Sequence, residues 1–235
     1  MYFLIDNIPT DGGPVYAETN LQNWFVEPFN AISSLAYLVP AFYWWRKLKG
    51  RHFEFAFLSF CLPFLVLGGI GSTLYHAFRN SVLLLYMDVF PIAVVTLMVS
   101  IYLWIKVLPK SWFIVFILAP FLYSRYVIYG VVSSGLFLGK PVSAQTVINI
   151  TYFITGTMIF LPSILLLIKY KFENWSVLVT SCLLFILGLT FRRIDDWDWG
   201  FLYMGTHFLW HISTAAGSWM LAEYLYRLRK REIMG

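Results

Sequence analysis

The chain has 235 residues, 60% of them hydrophobic and 12% charged, with a formal net charge of +5 and a mean hydropathy of +0.71. A soluble domain carries about 25% charged residues, so half that share excludes an ordinary soluble enzyme and points to a membrane protein. The basic excess invites a nucleic-acid reading, but its placement along the chain argues for membrane topology instead.

Residues 1–27 read as an extramembrane N-terminal segment. It carries Asp6 and Asp11 and no basic n-region, so a cleaved signal peptide is not expected. Seven apolar stretches follow: Pro28 to Trp45, Phe53 to Tyr75, Val82 to Val107, Trp112 to Tyr129, Thr146 to Ile168, Trp175 to Phe191 and Phe201 to Tyr226. Each is near the ~20 residues a helix needs to cross a bilayer. Continuous apolar runs lack the alternation of a transmembrane barrel. The expected fold is therefore all-α: one polytopic domain, a bundle of seven transmembrane helices over residues 28–226, with a short basic tail over 227–235.

Twelve of the seventeen basic residues fall on one side of that arrangement. They are Arg46, Lys47, Lys49 and Arg51; Lys106 and Lys110; Lys169 and Lys171; and Arg227, Arg229, Lys230 and Arg231. The asymmetry puts the C-terminus in the cytoplasm and the N-terminus outside or in a lumen. Trp44, Trp45, Trp112, Trp175, Trp197 and Trp199 lie at span ends, as interfacial anchors do. The Gly- and Pro-containing segment from Ser133 to Ser143 reads as a loop. Cys61 and Cys182 fall within spans, where a small apolar thiol is ordinary. Arg125, inside the fourth span, is expected to reach the outer headgroups, to pair with a carboxylate, or to meet a polar substrate head or the cluster Asp195, Asp196 and Asp198.

Against this apolar background five polar side chains stand out. Ser72 and His76 are four residues apart on the second span, and so share a helix face. His207 and His211 repeat that spacing on the seventh span, and Asp88 lies on the third. Ionisable groups at membrane depth are costly and usually mark a site. With 1.5 Å per residue, His76 and Asp88 fall ~6 and ~10 Å below the turn near Arg79, and His207 and His211 ~12 and ~18 Å from a start of span seven near Trp199. All four then share the outer half of the bilayer. A proton path would need acidic groups continuing inward, and spans four to six contain none.

Three histidines match the ligand count of a zinc site that keeps its fourth position open. Such an ion polarises a carbonyl and makes water acidic, while a nearby carboxylate such as Asp88 takes up the proton. The Ser72 hydroxyl suits hydrogen bonding to a developing oxyanion. The natural reaction is hydrolysis of an acyl bond in a lipid.

Gly-Ile-Gly-Ser-x-x-Tyr-His (69–76), Met-Asp-Val-Phe-Pro (87–91) and Thr-His-Phe-Leu-Trp-His-Ile-Ser-Thr (206–214) resemble the alkaline ceramidases. These are seven-helix intramembrane hydrolases of the superfamily that includes adiponectin/progestin-type receptors and lipid remodelling proteins of GPI anchors. Glu27-Pro28-Phe29-Asn30-Ala31-Ile32-Ser33-Ser34 is similar to the stretch opening the first ceramidase helix. The resemblance runs from about Tyr16 to Tyr226. It implies zinc on His76, His207 and His211, with Asp88 as the base on the attacking water and Ser72 at the substrate carbonyl.

The resemblance also implies a calcium site. Val15-Tyr16-Ala17-Glu18-Thr19-Asn20 is similar to a calcium-holding segment of animal ceramidases, with Glu18, Asn20, Glu27 and the Tyr16 carbonyl as candidate ligands. Val15 stands where the family has aspartate, so one hard oxygen ligand is missing. The other reading is that Glu18 and Asn20 cap or solvate the entry to the first helix.

The function expected is hydrolysis of a lipid amide, ceramide or another N-acyl lipid, to a fatty acid and an amine. Its partner would be a membrane lipid, without nucleic acid or an obligatory protein partner. Two alternatives stay open: a seven-helix receptor or sensor with structural zinc, and an ester hydrolase of the GPI-anchor remodelling type.

Overall fold

A computed structural model describes residues 9–142 and 144–234; Asp6, Ser143 and Gly235 of the segments above lie outside the described residues. The chain is mostly helical, with α1 (Pro28–Ser34), α2 (Leu38–Lys47), α3 (Ala56–Phe78), α4 (Val82–Val107), α5 (Val115–Ser134), α6 (Ala144–Lys169), α7 (Trp175–Arg193) and α8 (His207–Met234). A single 3-10 turn, Leu35–Tyr37, joins α1 to α2, so the first apolar stretch is one helical run. Five helical segments are long and apolar enough to cross a membrane: Ala56–Phe78, Val82–Val107, Ser111–Val131, Ile150–Lys169 and Trp175–Arg193. They mark an integral membrane protein. The 3-10 turn divides the α1–α2 run into two short α-helices, and α8 carries Glu223, Arg227 and Arg229 among its apolar residues.

The described residues pack as two compact units. One comprises the chain through Val95 together with Asn174 onward; the other is Thr96–Glu173, with α4 contributing to both. In the first unit α8 packs along α7 and also against α1 and α2, while α3 packs against α1 and α2. In the second, α5 packs against α6.

Small residues set the approach of helices in the first unit, as they do where lipid offers no hydrophobic drive between helices. Around Gly71, α3 comes so close to α4 that a Cβ there would collide with the carbonyl of Met87. A Cβ on Gly69 would press on Tyr37 at 3.2 Å on the other side. Ser72 and His76 thus sit on a helix that neighbours approach from two faces.

Three expectations change. The segment after Ser134 contains a hairpin, β1 (Leu136–Phe137) with β2 (Lys140–Pro141), rather than a plain loop. Leu138 and Gly139 both adopt positive φ, the conformation a two-residue hairpin turn requires. Trp44 is not an interfacial anchor: it is 1% exposed and packs on Tyr43 and Tyr226, whereas Trp45, Trp112, Trp175 and Trp197 are more than half exposed.

The third change concerns the last helix, which begins at His207, six residues beyond the start of the apolar run at Phe201. Gly205 has φ +68°, and a Cβ there would strike Asp195 and Ala17. Asp195 Oδ1 accepts the N–H groups of Thr206 (2.8 Å) and His207 (2.7 Å). These are N–H groups that a helix start leaves unpaired, and a carboxylate there also complements the helix dipole. His207 therefore opens α8 instead of lying ~12 Å into it, and His211 stands one turn on, ~6 Å along the axis.

Candidate metal centre

His76, His207 and His211 converge. They are 1%, 1% and 3% exposed, and each offers a ring nitrogen within 4.8 Å of those of the other two. The cluster joins the C-terminal turn of α3 to the first turn of α8, with α1 packed beside both. The residues fit a metal ion: three buried imidazoles are compatible with zinc.

Hydrogen bonds orient two of the rings. His76 Nδ1 lies 2.5 Å from Glu27 Oε2. A carboxylate is a pure acceptor, so Nδ1 carries the proton and Nε2 keeps the free lone pair. Glu27 is brought there by the backbone, since Glu27 N–H donates to the His76 carbonyl (3.1 Å) and Val26 N–H to the Ala77 carbonyl (2.9 Å). Those carbonyls belong to the last turn of α3, where a helix has no partners of its own.

His211 Nδ1 lies 2.8 Å from Ser33 Oγ and 3.2 Å from Ser34 Oγ. Both serine hydroxyls have the Asn30 carbonyl in reach, at 3.0 and 2.8 Å. With the Ser33 proton directed to that carbonyl and the Ser34 proton shared between it and Ser72 Oγ (2.9 Å), the serine oxygens accept from His211 Nδ1–H, again leaving Nε2 for a metal. His207 differs: its Nδ1 is buried with no hydrogen-bond partner among the described residues. Its ring stacks on Tyr16 at 3.8 Å between centroids. An orphaned buried nitrogen beside two pre-oriented imidazoles fits a third histidine ligand of the same ion.

Ser72 is 1% exposed, and its hydroxyl hydrogen-bonds with that of Ser34 at 2.9 Å. Asp88, on α4, lies within interaction range of the Ser72 hydroxyl and of His76. The close contact at Gly71 and Met87 sets that proximity, because each is the immediate chain neighbour of Ser72 or Asp88.

The candidate calcium ligands are all engaged with protein groups. Glu18 accepts the N–H groups of Phe29 (2.6 Å) and Asn30 (2.9 Å), which caps α1. Burial raises the Glu18 pKa, with those two N–H bonds opposing. Asn20 Oδ1 accepts from Gln22 N–H at 3.1 Å, and the Tyr16 carbonyl accepts from Thr19 N–H at 3.0 Å. Glu27 serves His76, Asn30, Thr19 and Arg79. Burial alone would raise Glu27, but His76 and then Arg79 hold it below the usual carboxylate range. The capping hydrogen bonds of the alternative reading are thus present for Glu18.

Three residues here escaped the sequence reading. Arg79 counted only as a loop charge, yet it is 1% exposed and bonded to Asp11, Glu27 and the Pro14 carbonyl. Ser33 and Ser34 lay inside a recognised motif without a role. Their signal was the Asn30-x-x-Ser33-Ser34 spacing, which turns two hydroxyls to one side of a short helix. Arg125, in the second unit, reaches Thr155 Oγ1 at 2.5 Å and stacks over Phe121, while Asp195 is spent on the N–H groups of Ala17, Thr206 and His207.

Neither a family model nor a curated protein matches the chain.

Proposed function

We propose that the protein is a zinc-dependent intramembrane hydrolase of a lipid amide, ceramidase-like, releasing a fatty acid and a sphingoid or similar amine. The observation that carries the reading is the buried convergence of His76, His207 and His211 beside Ser72 and Asp88. In this reading α1–α2 and α8 complete seven spans, with the N-terminus outside or lumenal and the centre in the outer half of the bilayer. The basic residues after α2 and in the tail support that orientation.

His76, His207 and His211 would hold the ion. Bound there, zinc supplies Lewis acidity toward a carbonyl oxygen and toward water. Asp88 accepts the proton of the attacking water and later returns one to the departing amine. Ser72 donates a hydrogen bond to the carbonyl oxygen as charge builds there, and the Ser34 hydroxyl, donating to Ser72 Oγ, holds Ser72 in place from behind. Glu27, Ser33 and Ser34 keep the His76 and His211 rings turned inward. Ser72 is not assigned as a nucleophile, because no histidine remains to activate it once all three serve as ligands.

The test is lipidomics. Purified protein with stoichiometric zinc is incubated with a mixed lipid extract, alongside Asp88→Asn. Fatty acid released together with a free amine, by wild type only, supports the reading. Release of fatty acid with an alcohol would move the assignment to the ester hydrolase. Carefully prepared protein that holds no metal would sink both.

A further inference from the structure

The guanidinium of Arg79 is the one fully buried cation in the described part of the centre, with 0% of its side chain exposed. Arg79 Nε donates to Asp11 Oδ2 at 2.7 Å, and one terminal nitrogen to Asp11 Oδ1 at 3.2 Å and to the Pro14 carbonyl at 2.9 Å. The other terminal nitrogen donates to Glu27 Oε1. The Tyr75 ring lies 4.6 Å from the guanidinium carbon. Arg79 also holds φ at +48°, in the left-handed region where a helix usually ends on glycine. The backbone keeps that unfavourable conformation while the side chain donates four hydrogen bonds.

Glu27 divides its two oxygens. Oε1 takes Arg79 and the Thr19 hydroxyl (2.6 Å); Oε2 takes His76 Nδ1 and, more distantly, the Asn30 amide (3.3 Å). With Oε1 fastened to a rigid fork, the carboxylate plane is fixed and Oε2 faces the imidazole.

We propose that Arg79 is a positioning residue for the metal centre: it fixes the Glu27 carboxylate as acceptor of His76 Nδ1–H and so directs His76 Nε2 at the ion. This rests on the reading of His76 as a ligand. Outer partners of metal-bound histidines typically contribute 10- to 100-fold in metal affinity. A lysine presents a point charge rather than a fork, and so replaces arginine only in part.

The test measures zinc affinity of the full-length protein in detergent by competition with a chromophoric chelator. It also records the visible absorption spectrum of the cobalt-substituted protein and the melting temperature of the metal-free form. Arg79→Met is expected to weaken zinc about 10- to 100-fold and to change the cobalt spectrum, with Arg79→Lys intermediate. Lys47→Met, which breaks the distant pair with Glu223 (2.7 Å), lowers the melting temperature and leaves both metal readouts unchanged. A folded Arg79→Met protein with wild-type affinity and spectrum overturns the proposal. If Arg79→Met does not fold, wild-type affinity and spectrum in both Arg79→Lys and Glu27→Gln overturn it equally. Failure of the underlying reading is distinguishable, since His76→Ala would then keep full zinc stoichiometry.

Discussion

At the scale of single residues, the proposed function divides the centre into ligands, reacting groups and holders, and each class is expected to fail differently. His76→Ala or His211→Ala removes one of three ligands, so zinc is expected to fall below stoichiometric on elemental analysis and lipid hydrolysis to vanish with it. Asp88→Asn keeps the shape of the side chain but cannot accept a proton. It is expected to retain zinc while losing ~10²- to 10⁴-fold in turnover, measured as fatty acid released under saturating lipid. Ser72→Ala should also retain zinc and lose ~10²- to 10³-fold in turnover, the usual effect of removing one oxyanion donor. A serine nucleophile would predict trapping by an acyl-directed covalent probe, which this reading does not.

At the scale of elements, two local devices put those residues in register. The Asp195 carboxylate starts α8 at His207, so the first and second ligands of that helix lie one turn apart at its very beginning. Asp195→Ala leaves the Thr206, His207 and Ala17 N–H groups without their acceptor. Loss of the capping bonds alone costs ~1–2 kcal/mol. A lowered melting temperature of the metal-free protein and weaker zinc binding are expected together. The second device is the contact of α3 with α4 at Gly71. Gly71→Ala forces the two helices apart and carries Asp88 away from Ser72, at ~1–3 kcal/mol for an overpacked interior. Activity should therefore fall much further than stability, since proton transfer is sensitive to sub-ångström displacement while the fold absorbs it. Equal proportional losses in turnover and stability would count against this account.

At the scale of the whole molecule, the proposed function couples metal and membrane. A metal that binds only the folded protein adds ~2.7 kcal/mol of stability at a free concentration one hundred times its dissociation constant. Stripping zinc with a chelator is thus expected to lower the melting temperature, and zinc but not magnesium to restore it, because imidazole ligands suit zinc and magnesium prefers oxygen. The basic tail, Arg227 to Arg231, is expected on the cytoplasmic face; a fluorescent protein fused after it should be protected from added protease in sealed cells.

The helical class and the membrane nature of the chain were legible in the sequence, because long uncharged apolar stretches have no other stable arrangement in water or lipid. The α4 boundaries, Val82 and Val107, follow directly from where the apolar run stops. The i, i+4 pairs were legible as well, since helical geometry alone puts Ser72 with His76 and His207 with His211 on shared faces. What the sequence could not supply was the meeting of those faces. Depth estimates left open whether the helices look toward one another, and they misplaced His207, because an Asp195 cap twelve residues away sets the start of α8. Arg79 read as an ordinary loop charge until the fold wrapped Asp11, Pro14 and Glu27 around it. Ionisable groups in lipid announce a site through the solvation they forgo, a property of single residues. Their partners come from distant parts of the chain, and only tertiary packing brings them within hydrogen-bonding reach.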